Sequence, residues 1–253
     1  HSGRYGGIVR NALHEMARLV SGLHDADGRV AAPGFYDGVR EPSEHERAEI
    51  HSIAYDSSRL LSEIGAVPHG EKGYSTLERL WLRPTLDVNG MWGGYTGAGS
   101  KTVIANEASA KITMRLVEGQ DPVAAQESVM RHLEANTPEG VRLEFTGERG
   151  ASGAYTVPLD HPLLKAASNA LEATTGMVPR RVRIGASLPL TEIVHRLLGL
   201  HTIMFSFALS DENFHAPNEF FRLDSISDGL AAWVRILREI AETDVSDYAP
   251  YRH

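Results

Sequence analysis

The chain has no cysteine. That excludes a disulfide framework and a thiolate metal site, so any metal held here sits on His, Asp and Glu. Positive charge is also scarce: 25 Lys and Arg stand against 33 Asp and Glu, a net charge of −8 with a pI near 5.8. A nucleic-acid surface needs a basic stripe, and none is present. No apolar run approaches the roughly 20 residues of a membrane-spanning helix. Internal repeats and low-complexity stretches are lacking as well. No leader pattern is visible, so a cytoplasmic location is the expectation, although the chain opens on His1 rather than Met. What is present is an ordinary globular balance over 253 residues, 42% hydrophobic and 23% charged, enough for one large domain or two smaller ones.

The most informative stretch lies near the end. His201 to Phe207 (HTIMFSF) is apolar, aromatic and β-branched enough for a buried strand. An acidic loop follows, and then His215 with Pro217 and Glu219 close behind. Ligands of open α/β sheets bind beyond the carboxyl ends of strands. A histidine on a proline-stiffened loop beside carboxylates suits a metal ligand. It equally suits a plain surface loop, and one histidine does not make a metal site.

Taken in order, the chain starts with a glycine-rich segment, and Asn11 then caps a helix carrying Leu13, Met16, Ala17, Val20 and Leu23 at helical spacing. Asp25 to Pro68 is rich in turn residues and contains a polar, helical arm capped by Ser43. Pro84 and the glycines divide Leu80 to Gly99 into a short strand and a loop. Residues 101–104 read as another strand. Ala108 to Val117 alternates, with Ala108, Ala110, Ile112, Met114 and Leu116 on one face and Ser109, Lys111, Thr113 and Arg115 on the open one. Asp121 and Pro122 open a helix to about Ala135, and 141–145 alternates as a strand. This order predicts a two-layer α+β domain over 1–150, with 25–80 as an elaboration. Residues 147–153 (GERGASG) read as a return hinge.

The remainder, 151–253, alternates helix and strand. Asp160 and Pro162 start a helix that Gly176 ends. Strands over 180–184 and 201–207 flank a helix from Leu190 to Leu198. A last helix from Asp224 is expected to bury Ile226, Leu230, Trp233, Leu237 and Ile240, and the tail from Asp244 looks frayed. Such alternation predicts part of a doubly wound, mostly parallel sheet. The loop 185–189 contains Gly-x-Ser around Ser187, which suggests a nucleophile elbow with His215 as base. The elbow needs a glycine where this chain has Pro189, so a serine hydrolase is only a remote alternative.

Several of these segments together resemble the M20 metallopeptidases, nearest their carnosinase-like branch. They are HSGRYGG at 1–7, GFYDGVREPSEHER at 34–47, GSKTVIANEASAKITMRLVEGQDP at 99–122, RIGASLP at 183–189 and FHAPNE at 214–219. The resemblance implies a lid domain that forms a homodimer and a co-catalytic zinc domain that hydrolyses an amide next to a free carboxylate. It implies that His1 reaches the partner's active site and stabilises the oxyanion. Thr102 is implied to cross the interface to substrate, Arg115 and Ser187 to hold the substrate carboxylate, Arg183 to support the 185–189 loop, and His215 to bind metal. The substrate is implied to be a small peptide or an N-acyl amino acid. Ala105, Ile184 and Ala186 depart from the family's residues.

The family's two divalent metals, expected to be zinc, take most of their ligands and their general base from His-x-Asp, Asp and Glu-Glu elements. No Glu-Glu pair occurs in this sequence, and only His215 matches a ligand. The expectation is therefore a fragment: lid plus carboxy-terminal part of the catalytic domain, with at most a weak metal site. The alternative from another class is a dimerisation module without activity of its own.

Overall fold

The computed structural model describes residues 1–147, 152–184, 189–209 and 211–251. They form two compact units, one over 1–154 with 183–184 and one over 155–182 with 189–251. The fold mixes helices with a small sheet, as the expected class requires.

The first unit begins with a short helix α1, Ser2–Tyr5, then α2, Ala12–Ser21. Asn11 caps α2 by accepting a hydrogen bond from Leu13 N at 3.0 Å. The sheet is a single antiparallel pair, β1 at Thr85–Gly93 and β2 at Ala108–Arg115, bulged between Val88 and Gly90. The alternation of β2 holds where it matters: Ile112 and Met114 pack into the core, while Lys111, Thr113 and Arg115 are exposed. A helix, Pro122–Ala135, supplies the second layer and is capped by Asp121, whose carboxylate accepts from Val123 N and Ala124 N. Leu19, Leu23, Phe35, Leu86, Val129 and Leu133 meet between the layers, with Leu23 and Phe35 fully buried. Segment 34–39 crosses the 117–120 turn closely: a Cβ on Gly38, which has a φ of 83°, would lie 2.0 Å from the Gly119 carbonyl oxygen. Only glycine permits that crossing.

The expected polar arm is broken into α3, Glu44–His51, and α4, Ser57–Glu63. A further helix α5, Thr76–Leu82, was not anticipated, although Ser75 and Glu78 form a capping box at its start. The helix Pro122–Ala135 is therefore α6. Two expected strands do not form. Around 101–104 the backbone makes a tight turn, Val103 N donating to Lys101 O, and bonds singly to the amino-terminal segment. Residues 141–145 have no ladder partner among the described residues. A strand exists only where a neighbour supplies the other half of its hydrogen bonds.

The second unit holds α7, Pro162–Thr175, α8, Pro189–Leu198, and α9, Asp224–Glu242, followed by a 3-10 helix over Val245–Tyr251 instead of a frayed tail. Gly176 ends α7 in the left-handed region as expected. The cap at the other end is His161, not Asp160: its Nδ1 accepts from Leu163 N at 3.2 Å. Segments 180–184 and 201–207 form no ladder among the described residues. On α9 the buried stripe is Ala232 and Ile236, and Ile236 packs with Ala167 and Ala170 of α7. Ile226, Leu230, Trp233 and Leu237, expected inside, lie on a different stripe and are largely exposed, though Trp233 meets Phe205 edge-on at 5.6 Å. Ile240 is partly buried against that core.

Three imidazoles gather in this unit. His201 stands 4.8 Å from His161 and 4.9 Å from His195, ring centre to ring centre, and Tyr155, Tyr248 and Tyr251 surround them. The Tyr155 hydroxyl hydrogen-bonds His201 Nδ1. Burial lowers the His161 pKa below its ordinary 6.5, and His201 pushes it the same way while Asp160 opposes. The folded state thus resists a proton that the unfolded chain accepts. His161 opposes unfolding fully above about pH 6.5, and that contribution is lost as the pH falls below it. We expect thermal melting to drop on acidification, and His161→Asn, which keeps a capping acceptor without a titrating ring, to shrink the drop. An unchanged pH slope in the variant would refute this.

Candidate functional site

Two of the residues singled out in the sequence meet directly. His1 caps α1, its Nδ1 accepting from Gly3 N at 3.0 Å. Its Nε2 lies 3.2 Å from Thr102 Oγ1, across a separation of 101 positions. The backbone fixes the approach, because Ser2 N donates to Thr102 O at 3.0 Å and Ala12 N to Ala105 O at 3.0 Å. Both side chains are exposed.

Arg115 ends β2, opposite Thr85 in the ladder. Its side chain is exposed, and among the described residues it forms no ion pair. A guanidinium on a rigid strand without an internal carboxylate can take an external one through two hydrogen bonds. Ser187 lies outside the described residues, as do 148–151 of the expected hinge. Arg183, expected to hold the loop at 185–189, donates to Glu46 Oε1 of α3 at 3.3 Å, while 185–188 of that loop lie outside the described residues. Arg40, which also pairs with Glu46, keeps that carboxyl well below its ordinary range.

His215 sits in a loop with three non-glycine residues in the left-handed region: Asn213, His215 and Asn218, at φ of 54°, 57° and 64°. Such a loop persists only if its surroundings hold it. Glu212 does so from a fully buried position. Its carboxylate accepts from Leu209 N, Arg222 N and Arg222 Nη1, and Phe220 N donates to its carbonyl. Arg222 also grips Asp211 with two hydrogen bonds. Sequence reading missed Glu212, whose only signal was two adjacent acids ahead of an arginine. His215 itself is exposed, and among the described residues no group of three or more His, Asp or Glu is arranged to hold a metal. A catalytic zinc takes about three protein ligands, so the described residues do not fit a complete metal centre.

Comparison with known proteins places this geometry. Residues 1–141 match the M20 peptidase dimerisation domain. The Cys-Gly metallodipeptidase dug1 of Schizosaccharomyces pombe is 27% identical over 248 residues, covering 95% of this chain and 51% of that protein. Human Beta-Ala-His dipeptidase is 26% identical over 255 residues, covering 96% of this chain and 48% of its own length. The chain thus spans about half the length of the curated relatives it matches. Among solved structures, an M20 family metallo-carboxypeptidase from Sulfolobus solfataricus superposes with a TM-score of 0.78 at 30% identity, over 94% of this chain and 54% of the other. Human carnosine dipeptidase 1 shares the fold, with a TM-score of 0.77 at 24% identity over 96% of this chain and 52% of the other. In the described residues no helix is long and apolar enough to cross a membrane. With the dimerisation-domain match alone covering more than half of its residues, the chain belongs to the M20 peptidase family.

Proposed function

We propose that the chain is the dimerising and substrate-gripping part of an M20 dipeptidase or carboxypeptidase. In this reading residues 1–150 are the lid and homodimer domain and 151–253 the carboxy-terminal portion of the catalytic domain. The substrate is a small peptide or N-acyl amino acid with a free carboxylate. Arg115 takes that carboxylate together with Ser187. His1 stabilises the oxyanion formed in the partner's site, and His215 is one ligand of a divalent metal centre. The other ligands and the general base belong to the further length that the relatives have. The assembled enzyme is this chain together with that length.

The observation that carries the proposal is the exposed guanidinium of Arg115, without an ion pair among the described residues, on a strand inside the region that matches the family. The partial metal shell makes the reading testable on the chain alone. Calorimetric titration with zinc is expected to show no tight site, and dipeptides should not be hydrolysed. A tight site that His215→Ala abolishes would overturn this division of labour, because it would require ligands within the chain.

A further inference from the structure

We propose that Thr102 is the positioning residue of His1 within the same chain: its hydroxyl oxygen accepts the Nε2 proton of a neutral imidazole and fixes the direction of the ring. The inference deepens the proposed function and rests on its reading of His1. It also differs from the resemblance, which gives Thr102 a substrate contact of its own.

The argument starts from the other ring nitrogen. A backbone amide can only donate, so the contact of Gly3 N with His1 Nδ1 at 3.0 Å makes Nδ1 an acceptor without a proton. The single ring proton of the neutral imidazole is then on Nε2, which faces Thr102 Oγ1 at 3.2 Å. Thr102 Oγ1 must accept this bond, which leaves the hydroxyl proton of Thr102 directed elsewhere and available as a donor.

The backbone makes the meeting reproducible. Thr102 lies at the centre of a three-residue turn closed by Val103 N and Lys101 O at 2.9 Å. Its own carbonyl is bound by Ser2 N at 3.0 Å, one residue from His1. The two side chains are thus tied at the backbone as well as at their tips. Threonine suits the place because its β-branched side chain has few χ1 states, so the oxygen is aimed before the imidazole arrives. The pair is preassembled: a neutral histidine, held at both nitrogens, whose Nε2–H rests on Thr102 Oγ1 until an incoming oxyanion takes it.

The first test is nitrogen NMR of the ring-labelled full chain above neutral pH, with His1 identified by its loss in His1→Gln. The expected result is the Nε2–H tautomer for His1, retained in Thr102→Ser and replaced by a tautomer mixture in the isosteric Thr102→Val. The second test is a double-mutant cycle on the assembled enzyme. Thr102→Val should lower kcat/KM about tenfold with His1 present and have little effect beside His1→Gln, since residues that act through one another are not additive. An Nδ1–H tautomer in the wild type, a spectrum unmoved by Thr102→Val, or equal losses in both backgrounds would overturn the proposal. If His1→Gln alone leaves kcat/KM unchanged while the tautomer is as stated, the oxyanion role of His1 fails and the pair is a structural contact only.

Discussion

Replacing Glu71 by alanine should destabilise the first unit by about 3–5 kcal/mol, the cost of leaving a buried charge without its close, buried partner. Glu71 and Arg83 have side chains only 5% and 3% exposed. The carboxylate takes Arg83 Nε at 2.8 Å and Nη2 at 2.9 Å, and Arg29 Nη1 at 3.0 Å. The Arg83 guanidinium also lies 5.1 Å from the Tyr36 ring centre and 4.4 Å from that of Tyr74. Arg29, far more exposed, can turn to water when Glu71 is removed. Arg83 cannot. Burial and the Glu41 carboxylate, which accepts its hydroxyl proton, push Tyr74 up to about 12, so it cannot serve as a substitute anion at neutral pH. The check is the urea midpoint at unchanged slope. Glu71→Leu combined with Arg83→Met should recover most of the loss, because an apolar pair of similar volume has no charge left to strand. A loss below about 1 kcal/mol in Glu71→Ala would mean that Arg83 finds water, and the network would be a surface one.

That network was invisible in the sequence, for a physical reason. Caps are local: Asn11, Ser43 and Asp121 each bond a backbone amide two or three residues on, so residue type and position suffice to read them. The Ser75 and Glu78 box was just as local and was missed only because no apolar periodicity drew attention to it. The mistake between Asp160 and His161 is one position wide, and both side chains can accept from an amide. Strands are different. The β1–β2 pair was legible through its alternation, whereas the apolar segments 180–184 and 201–207 have strand composition without a partner among the described residues. The contacts of Glu71 with Arg29 and of Glu212 with Arg222 join residues 42 and 10 positions apart, which no period reports. The site residues came from family motifs. The motifs named His1 and Thr102 separately but did not say that the two touch.

The central claim is that Arg115 grips a substrate carboxylate, and the most direct measurement compares acid and amide substrates in the assembled enzyme. A guanidinium holding a carboxylate with two charge-assisted hydrogen bonds is a strong, planar match. Losing one partner of such a desolvated pair costs about 2–5 kcal/mol. Arg115→Ala should therefore lower kcat/KM on the free-carboxylate substrate by about 30-fold or more, since each 1.36 kcal/mol or so is tenfold. Arg115→Lys should rescue it only in part, because a point charge cannot reproduce the fork. The side chain stands on the exposed face of β2, away from Ile112 and Met114, so folding and dimerisation should be unchanged. On the same substrate with its carboxylate amidated, wild type should be poor and Arg115→Ala no worse than wild type. If Arg115→Ala harms the acid and the amide equally, the arginine is structural and the claim is wrong.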